Sequence, residues 1–183
     1  GIMYGMGVNK LSGEMDIDLE EARALIKKYH ARVPFVKGLM NGVINRLNDK
    51  ASSGAIRSLM GRKCRFDTWE PTSFAMHKAL PYREAVQTHG DTTALKRAYT
   101  YKALNRLIQA SAADMTKKAM VDIYKSGRTP LIQIHDEMAM SVKDGADARE
   151  VRDIMVNALP LEIPNKCDID LGPSWGEAKE LKD

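Results

Sequence analysis

Apolar positions recur at helical spacing in four parts of the chain. In DLEEARALIKKYH, residues 18–30, Ala22, Leu25, Ile26 and Tyr29 fall on one face. Asp18 stands where an N-cap belongs and Glu21 follows three residues later, so a helix starts there. Pro34 interrupts the pattern and suits the first turn of a second helix, which runs on through FVKGLMNGVINRLNDKA. From Lys96 to Lys125 a long helix is predicted. Its broad face carries Ala98, Tyr101, Leu104, Asn105, Ile108, Ala112, Met115, Ala119 and Ile123, with lysines opposite. DGADAREVRDIMVNAL, residues 144–159, predicts a fourth, ended by Pro160 and Pro164.

Shorter runs read as strands. SSGAIRSLMGRKCRF predicts a turn and a short hairpin punctuated by Gly54 and Gly61. LIQIHDEMAMSV predicts two strands, 131–135 and 138–143, around an acidic turn, and CDIDLG a last short strand. Residues 67–95 carry Pro71, Pro81 and Gly90 amid mixed polarity. They are expected to be the least regular part, an exposed elaboration. The fold class is therefore α+β: helices toward the N-terminal side, then a small antiparallel sheet with flanking helices. No internal repeat is present.

Composition narrows the function classes. The chain has 183 residues, 44% of them hydrophobic, with a net charge of +4 and a pI near 9.0. A basic balance favours an acidic partner, of which nucleic acid is the commonest. Cys64 and Cys167 lie far apart and form no CxxC pair, which argues against a disulfide framework or zinc site and fits a reducing cytoplasm. No apolar run approaches the roughly 18 residues of a membrane helix, so no membrane partner is expected. The opening GIMYGMG is apolar and glycine-punctuated. Such a segment belongs inside a fold, and the chain is expected to be a piece of a longer polypeptide.

Three features could carry chemistry. The first is His135-Asp136-Glu137 between the two strands. Successive strand side chains alternate faces, so one acid can face a cleft while the other points to its rim. Ile132, Ile134, Met138 and Met140 surround the acids, so the tip does not read as an ordinary surface turn. A carboxylate in an apolar setting needs a cation, and Mg²⁺ suits a few carboxylates plus phosphate oxygens. The bland reading is an acidic turn in solvent. The second is Asn105 and Gln109, one helical turn apart beside the small residues Ala110, Ser111, Ala112 and Ala113. Their amides can donate to minor-groove acceptors, or simply bond neighbouring backbone. The third is a pair of basic clusters, Arg57, Arg62, Lys63 and Arg65, then Lys96, Arg97, Lys102 and Arg106. Each could hold phosphates or be a solvated face.

The HDE hairpin after a helix reading NRLIQASAADMTKKAM resembles the family A DNA polymerases, the DNA polymerase I type. Four further stretches agree in order: GIMYGMG with the end of the fingers helix, YHARVPFVKGLM with the helix that follows, SLMGRKCRF with a "TL.GR+R" hairpin, and LGPSWGEAKE with the "G..W..A" ending. The match covers most of the chain except 67–95, and that extended region suggests a phage-like member acting in a bacterial host cytoplasm. On this resemblance residues 1–95 are a partial fingers subdomain with an insertion at 67–95, and 96–183 a palm portion.

The resemblance implies roles residue by residue. Asp136 would be a catalytic metal ligand, Glu137 a supporting acid, and His135 a neighbour of the primer terminus. Asn105 and Gln109 would read the minor groove. Tyr4 would pack at the base of the nucleotide pocket, Gly5 would let the template base approach, and Arg62 would contact DNA or brace the fingers. The implied reaction is nucleotidyl transfer using two Mg²⁺ ions, with primer–template DNA and deoxynucleoside triphosphates as partners. Two departures stand out. Where the family has an arginine four residues before the asparagine, this chain has Tyr101, for which Lys102 or Arg97 could compensate. The family's upstream "DYS..E.R"-like acidic motif has no counterpart here. The chain alone is thus expected to be inactive and to need an N-terminal polymerase segment or chain. The rival readings are a non-catalytic basic nucleic-acid-binding remnant, and a metal-dependent hydrolase. The hydrolase lacks ligands, since His30, His77 and His89 fall at no ligand spacing near an acid.

Overall fold

The computed structural model describes every residue except Lys50, residues 74–76 and Asp183. The chain divides into two compact units, Gly1–Ala110 and Ser111–Asp183. Both mix helices with small antiparallel sheets, so the α+β expectation holds.

The first unit opens with a 3-10 turn at Ile2–Tyr4, then α1 (Val8–Met15), α2 (Leu19–Arg32) and α3 (Pro34–Asn48). The Asp18 carboxylate caps α2, accepting from the Glu21 backbone N–H at 2.8 Å. Pro34 begins α3 because its missing N–H has no intrahelical partner to lose there. α3 ends at Asn48, short of the expected Ala51, and Lys50 lies outside the described residues. α1 was not foreseen. It buries only Leu11, and its polar Asn9 and Ser12 with Gly13 hide any apolar period.

Next comes the expected hairpin, β1 (Ala55–Arg57) and β2 (Lys63–Arg65), with Ile56 opposite Cys64. Alternation points Ile56 into the core and leaves Arg57, Lys63 and Arg65 exposed. Leu47, Ile56, Phe66 and Ala103 form the buried cluster, with Val43, Cys64 and Leu107 packed against it.

Residues 67–95 are not irregular. They form β3 (Thr68–Pro71), β4 (Leu80–Pro81) and α4 (Tyr82–His89); with β5 (Leu95–Arg97) the strands make a sheet in the order β4-β3-β5. Residues 74–76 of this stretch lie outside the described residues. The prolines misled because each sits at a strand end, where a lost donor costs little. The strands are too short for a period to show. The same sheet corrects the long helix: Leu95–Arg97 is strand and Thr100–Lys102 a 3-10 turn, and α5 begins only at Ala103, running to Lys125.

Arg97 ties the first unit together. Its Nε donates to the Leu47 carbonyl at 3.0 Å, one Nη to the Phe66 carbonyl at 2.9 Å and the other to the Ser52 carbonyl at 3.3 Å. Its guanidinium also lies 4.5 Å from the Trp69 ring centroid. One side chain thus joins the end of α3, the turn after it, the exit of β2 and the new sheet. Gly54 makes room for it: a Cβ there would stand 2.3 Å from the guanidinium carbon.

The second unit holds the rest of α5 from Ser111, then β6 (Ile132–Ile134), β7 (Glu137–Ala139), α6 (Gly145–Asn157), and a pair of two-residue strands, β8 (Asp170–Leu171) and β9 (Lys179–Glu180). The strands around the acidic turn are shorter than expected. β8 is the anticipated last strand, and its partner β9 was unforeseen. Gly172 allows the chain to double back, since a Cβ there would meet the Glu177 carbonyl at 2.6 Å. Ile123 is fully buried, and Ala119, Ala148, Val151 and Ala158 are buried too.

Arg128 secures the start of α6, with Nε donating to Asp147 at 2.7 Å and a second bond to Glu150. The Lys143 backbone N–H also donates to Asp147, at 2.9 Å, and the Asp144 carboxylate caps the helix through the Asp147 N–H. The Lys143 N–H first, and Arg128 second, hold the Asp147 carboxyl below the usual carboxylate range. A carboxyl depressed on folding adds stability above about pH 4, the unfolded value, and that stability is lost as pH falls through the folded value. Circular-dichroism melts are therefore expected to drop on acidification below about pH 4, and Asp147→Asn is expected to flatten that drop. Identical acid slopes for both chains would contradict the assignment.

Candidate functional site

The acidic hairpin is the candidate feature of the second unit. β6 and β7 pair with Ile134 opposite Glu137, Gln133 opposite Met138 and Ile132 opposite Ala139. His135 and Asp136 alone make the turn. Two-residue hairpin loops need positive φ at a central position to match the strand twist. Here it falls on His135, at φ 53°, and the Gln133 side-chain amide donates to the His135 carbonyl. A histidine rather than a glycine in that region is uncommon.

All three residues of the tip are exposed, which corrects the expectation of an apolar enclosure. Leu131, Ile132 and Ile134 are themselves 64%, 46% and 43% exposed, and Met138 and Met140 are only half-buried. Asp136 lies in the turn rather than in a strand, so the alternation argument does not apply to it. Glu137 opens β7 and does obey it.

The donors at this tip are of the oxygen type that a hard cation such as Mg²⁺ takes. Among the described residues no three His, Cys, Asp or Glu side chains converge as a metal cage. Mg²⁺ does not require one, because it takes one or two carboxylates and completes its octahedron with phosphate oxygens and water. The adjacent carboxylates of Asp136 and Glu137 suit that chemistry and not a structural zinc centre.

The first unit carries a candidate feature of its own. Tyr4 closes the N-terminal 3-10 turn and is exposed, and Gly5 follows at φ 85°. A Cβ on Gly5 would stand 3.5 Å from the Tyr101 carbonyl and 3.7 Å from the Met40 methyl. The opening segment therefore lies against the residues that lead into α5. Tyr101, half-buried Asn105 and exposed Gln109 then follow at four-residue intervals, which sets them along one stripe. The structure thus brings Tyr4, Gly5, Asn105 and Gln109 into one unit, while His135, Asp136 and Glu137 belong to the other.

Arg62 is exposed at the end of the β1–β2 turn, where its backbone N–H donates to the Ser58 hydroxyl at 3.0 Å. The turn is stiffened by Gly61 at φ 82°, whose carbonyl accepts from Arg57 at 2.8 Å. Arg106 reaches the Arg65 carbonyl at 3.3 Å and lies 4.8 Å from the Phe66 ring centroid. The basic clusters thus divide into residues with internal work and residues facing solvent. Arg97 has internal work, so it does not stand in for the arginine that Tyr101 replaces. Lys102 is exposed and lies over the rings of Tyr99 and Tyr101.

Comparison with known proteins names the family. The model of DNA polymerase family A matches residues 1–177, and the chain belongs to that family. It is 36% identical over 158 residues to the DNA-directed DNA polymerase of Pseudomonas phage M6, covering 86% of this chain and 20% of that protein. It is 32% identical over 187 residues to the thermostable DNA polymerase I of Thermus thermophilus, covering 98% of this chain and 20% of that protein. Among solved structures, the POL domain of Pol1 from M. smegmatis, in complex with DNA primer–template and dNTP, superposes with a TM-score of 0.64 at 28% identity, over 90% of this chain and 27% of that one. The chain thus spans about a fifth of the curated relatives it matches. Among the described residues no helix is long and apolar enough to cross a membrane.

Proposed function

We propose that the chain is the C-terminal fingers-and-palm part of a DNA-directed DNA polymerase, competent for template-directed nucleotidyl transfer only with an upstream polymerase segment. The observation that carries this reading is the family match across nearly the whole chain, with HDE on an exposed hairpin tip. Residues 1–95 then belong to the fingers and 96–183 to the palm.

In this reading Asp136 holds a divalent ion, magnesium, with Glu137 supporting it from the next position. When bound, such an ion supplies charge neutralisation and alignment at the reacting phosphates. His135 faces the primer terminus. Asn105 and Gln109 donate to minor-groove acceptors, whose degenerate pattern lets them test base-pair shape without reading sequence. Tyr4 forms the floor of the nucleotide pocket, Gly5 gives the template base room, and Arg62 meets the DNA backbone.

A primer-extension assay tests the proposal. The isolated chain is expected to add no nucleotides, because Asp136 is half of a two-carboxylate centre. Extension is expected when the chain replaces the matching segment of the phage M6 polymerase. Robust extension by the isolated chain would overturn the incompleteness. Salt-sensitive DNA binding indifferent to both Mg²⁺ and Asp136→Asn, with no extension by the chimera, would favour the non-catalytic remnant.

A further inference from the structure

Tyr99, Tyr101 and Lys102 form a cluster that the reading above leaves unused. Tyr99 takes φ 61° ahead of the turn Thr100–Lys102, a conformation uncommon for a bulky side chain. The two rings are not core: Tyr99 is 42% exposed and Tyr101 54%. The Lys102 ammonium lies 5.2 Å from the Tyr99 ring centroid and 5.5 Å from that of Tyr101, so one cation serves both rings. The Tyr101 backbone is also the surface that Gly5 approaches, and Asn105 and Gln109 continue its stripe along α5.

Exposed rings with a cation between them are the ingredients of a single-strand platform. Every base has a face that stacks on an aromatic ring, and a nearby ammonium meets the phosphate that follows. Burial does not fully explain these rings, since each leaves about half of its surface in solvent, and the neighbouring Thr100, Ala103 and Leu104 carry the packing instead.

We propose that Tyr101, supported by Tyr99 and Lys102, is a stacking platform for an unpaired base of the template strand. This rests on the polymerase reading and adds to it a contact independent of sequence. Stacking of this kind tolerates any base and depends on ring area more than on the hydroxyl.

Fluorescence anisotropy with the whole chain tests it, using a blunt DNA duplex and the same duplex carrying a short unpaired 5′ template extension. The extension is expected to tighten binding about tenfold. Tyr101→Phe is expected to keep that advantage. Tyr101→Ala and the bulkier Tyr101→Leu are expected to lose it while binding the blunt duplex as the parent chain does. A 2-aminopurine placed first in the extension is expected to be quenched by the parent chain and not by Tyr101→Leu. If Tyr101→Ala and Tyr101→Leu both retain the advantage, the platform is overturned and the polymerase reading stands. If the parent chain binds the two DNAs with equal affinity, the platform is likewise overturned and the polymerase reading stands.

Discussion

Arg97→Ala is expected to lower the stability of the first unit by roughly 3–5 kcal/mol, from three charge-assisted bonds to carbonyls that are left without a donor. The melting temperature should fall by more than about 10 °C. Lysine will not rescue it, because a single ammonium cannot fork to Leu47, Phe66 and Ser52 at once. Gly54→Ala probes the same joint from the other side. Its methyl would occupy the space of the Arg97 guanidinium, and its φ of 67° adds about 1–2 kcal/mol of backbone strain. In a double-mutant cycle Gly54→Ala is therefore expected to be severe in the parent chain and to cost only the strain once Arg97 is gone. Additive losses, measured by chemical denaturation, would show that the arginine is not the joint.

This joint explains why the insertion was hard to see. The helices α2, α3 and α6 were legible because each repeats apolar residues over several turns and begins with a cap or a proline that has one physical meaning. The β1–β2 hairpin was legible through its glycines. The β4-β3-β5 sheet was not, because strands of two to four residues carry no period, and what fixes them is Arg97, some fifty positions from Leu47. A charged residue in a basic run reads as surface; only coordinates reveal that its donors point inward. The start of α5 failed for the same reason, since Leu95–Arg97 pairs with Trp69, Glu70 and Pro71 rather than continuing the helix.

The elements that carry the candidate residues were more legible than their setting. His135, Asp136 and Glu137 were placed on a hairpin from strand-like flanks alone, and Asn105 and Gln109 on a helix from their spacing. The exposure of the tip was not legible. Isoleucines and methionines beside an acid suggest enclosure, yet a pair of three-residue strands has too little surface to wrap its own turn. The left-handed backbone at His135 was likewise invisible, because it is set by the two-residue loop and not by a glycine.

Asp136→Asn, in a polymerase assembled around this chain, is expected to cut single-turnover nucleotide incorporation by on the order of a thousandfold, the equivalent of several kcal/mol of lost transition-state charge stabilisation. The change is nearly isosteric and falls on an exposed turn, so stability should move by less than about 0.5 kcal/mol. DNA affinity should also hold, since the proposed backbone contact is Arg62 and not Asp136. Glu137→Gln is expected to cost about tenfold, because a supporting acid shares its charge with solvent and is not indispensable. The contrast between neighbours is the informative part. Of these two adjacent, exposed carboxylates, Asp136 occupies the turn while Glu137 is committed to the strand opposite Ile134. Equal losses at both positions would mean that the hairpin contributes general negative charge, and an unaffected Asp136→Asn enzyme would remove it from the reaction altogether.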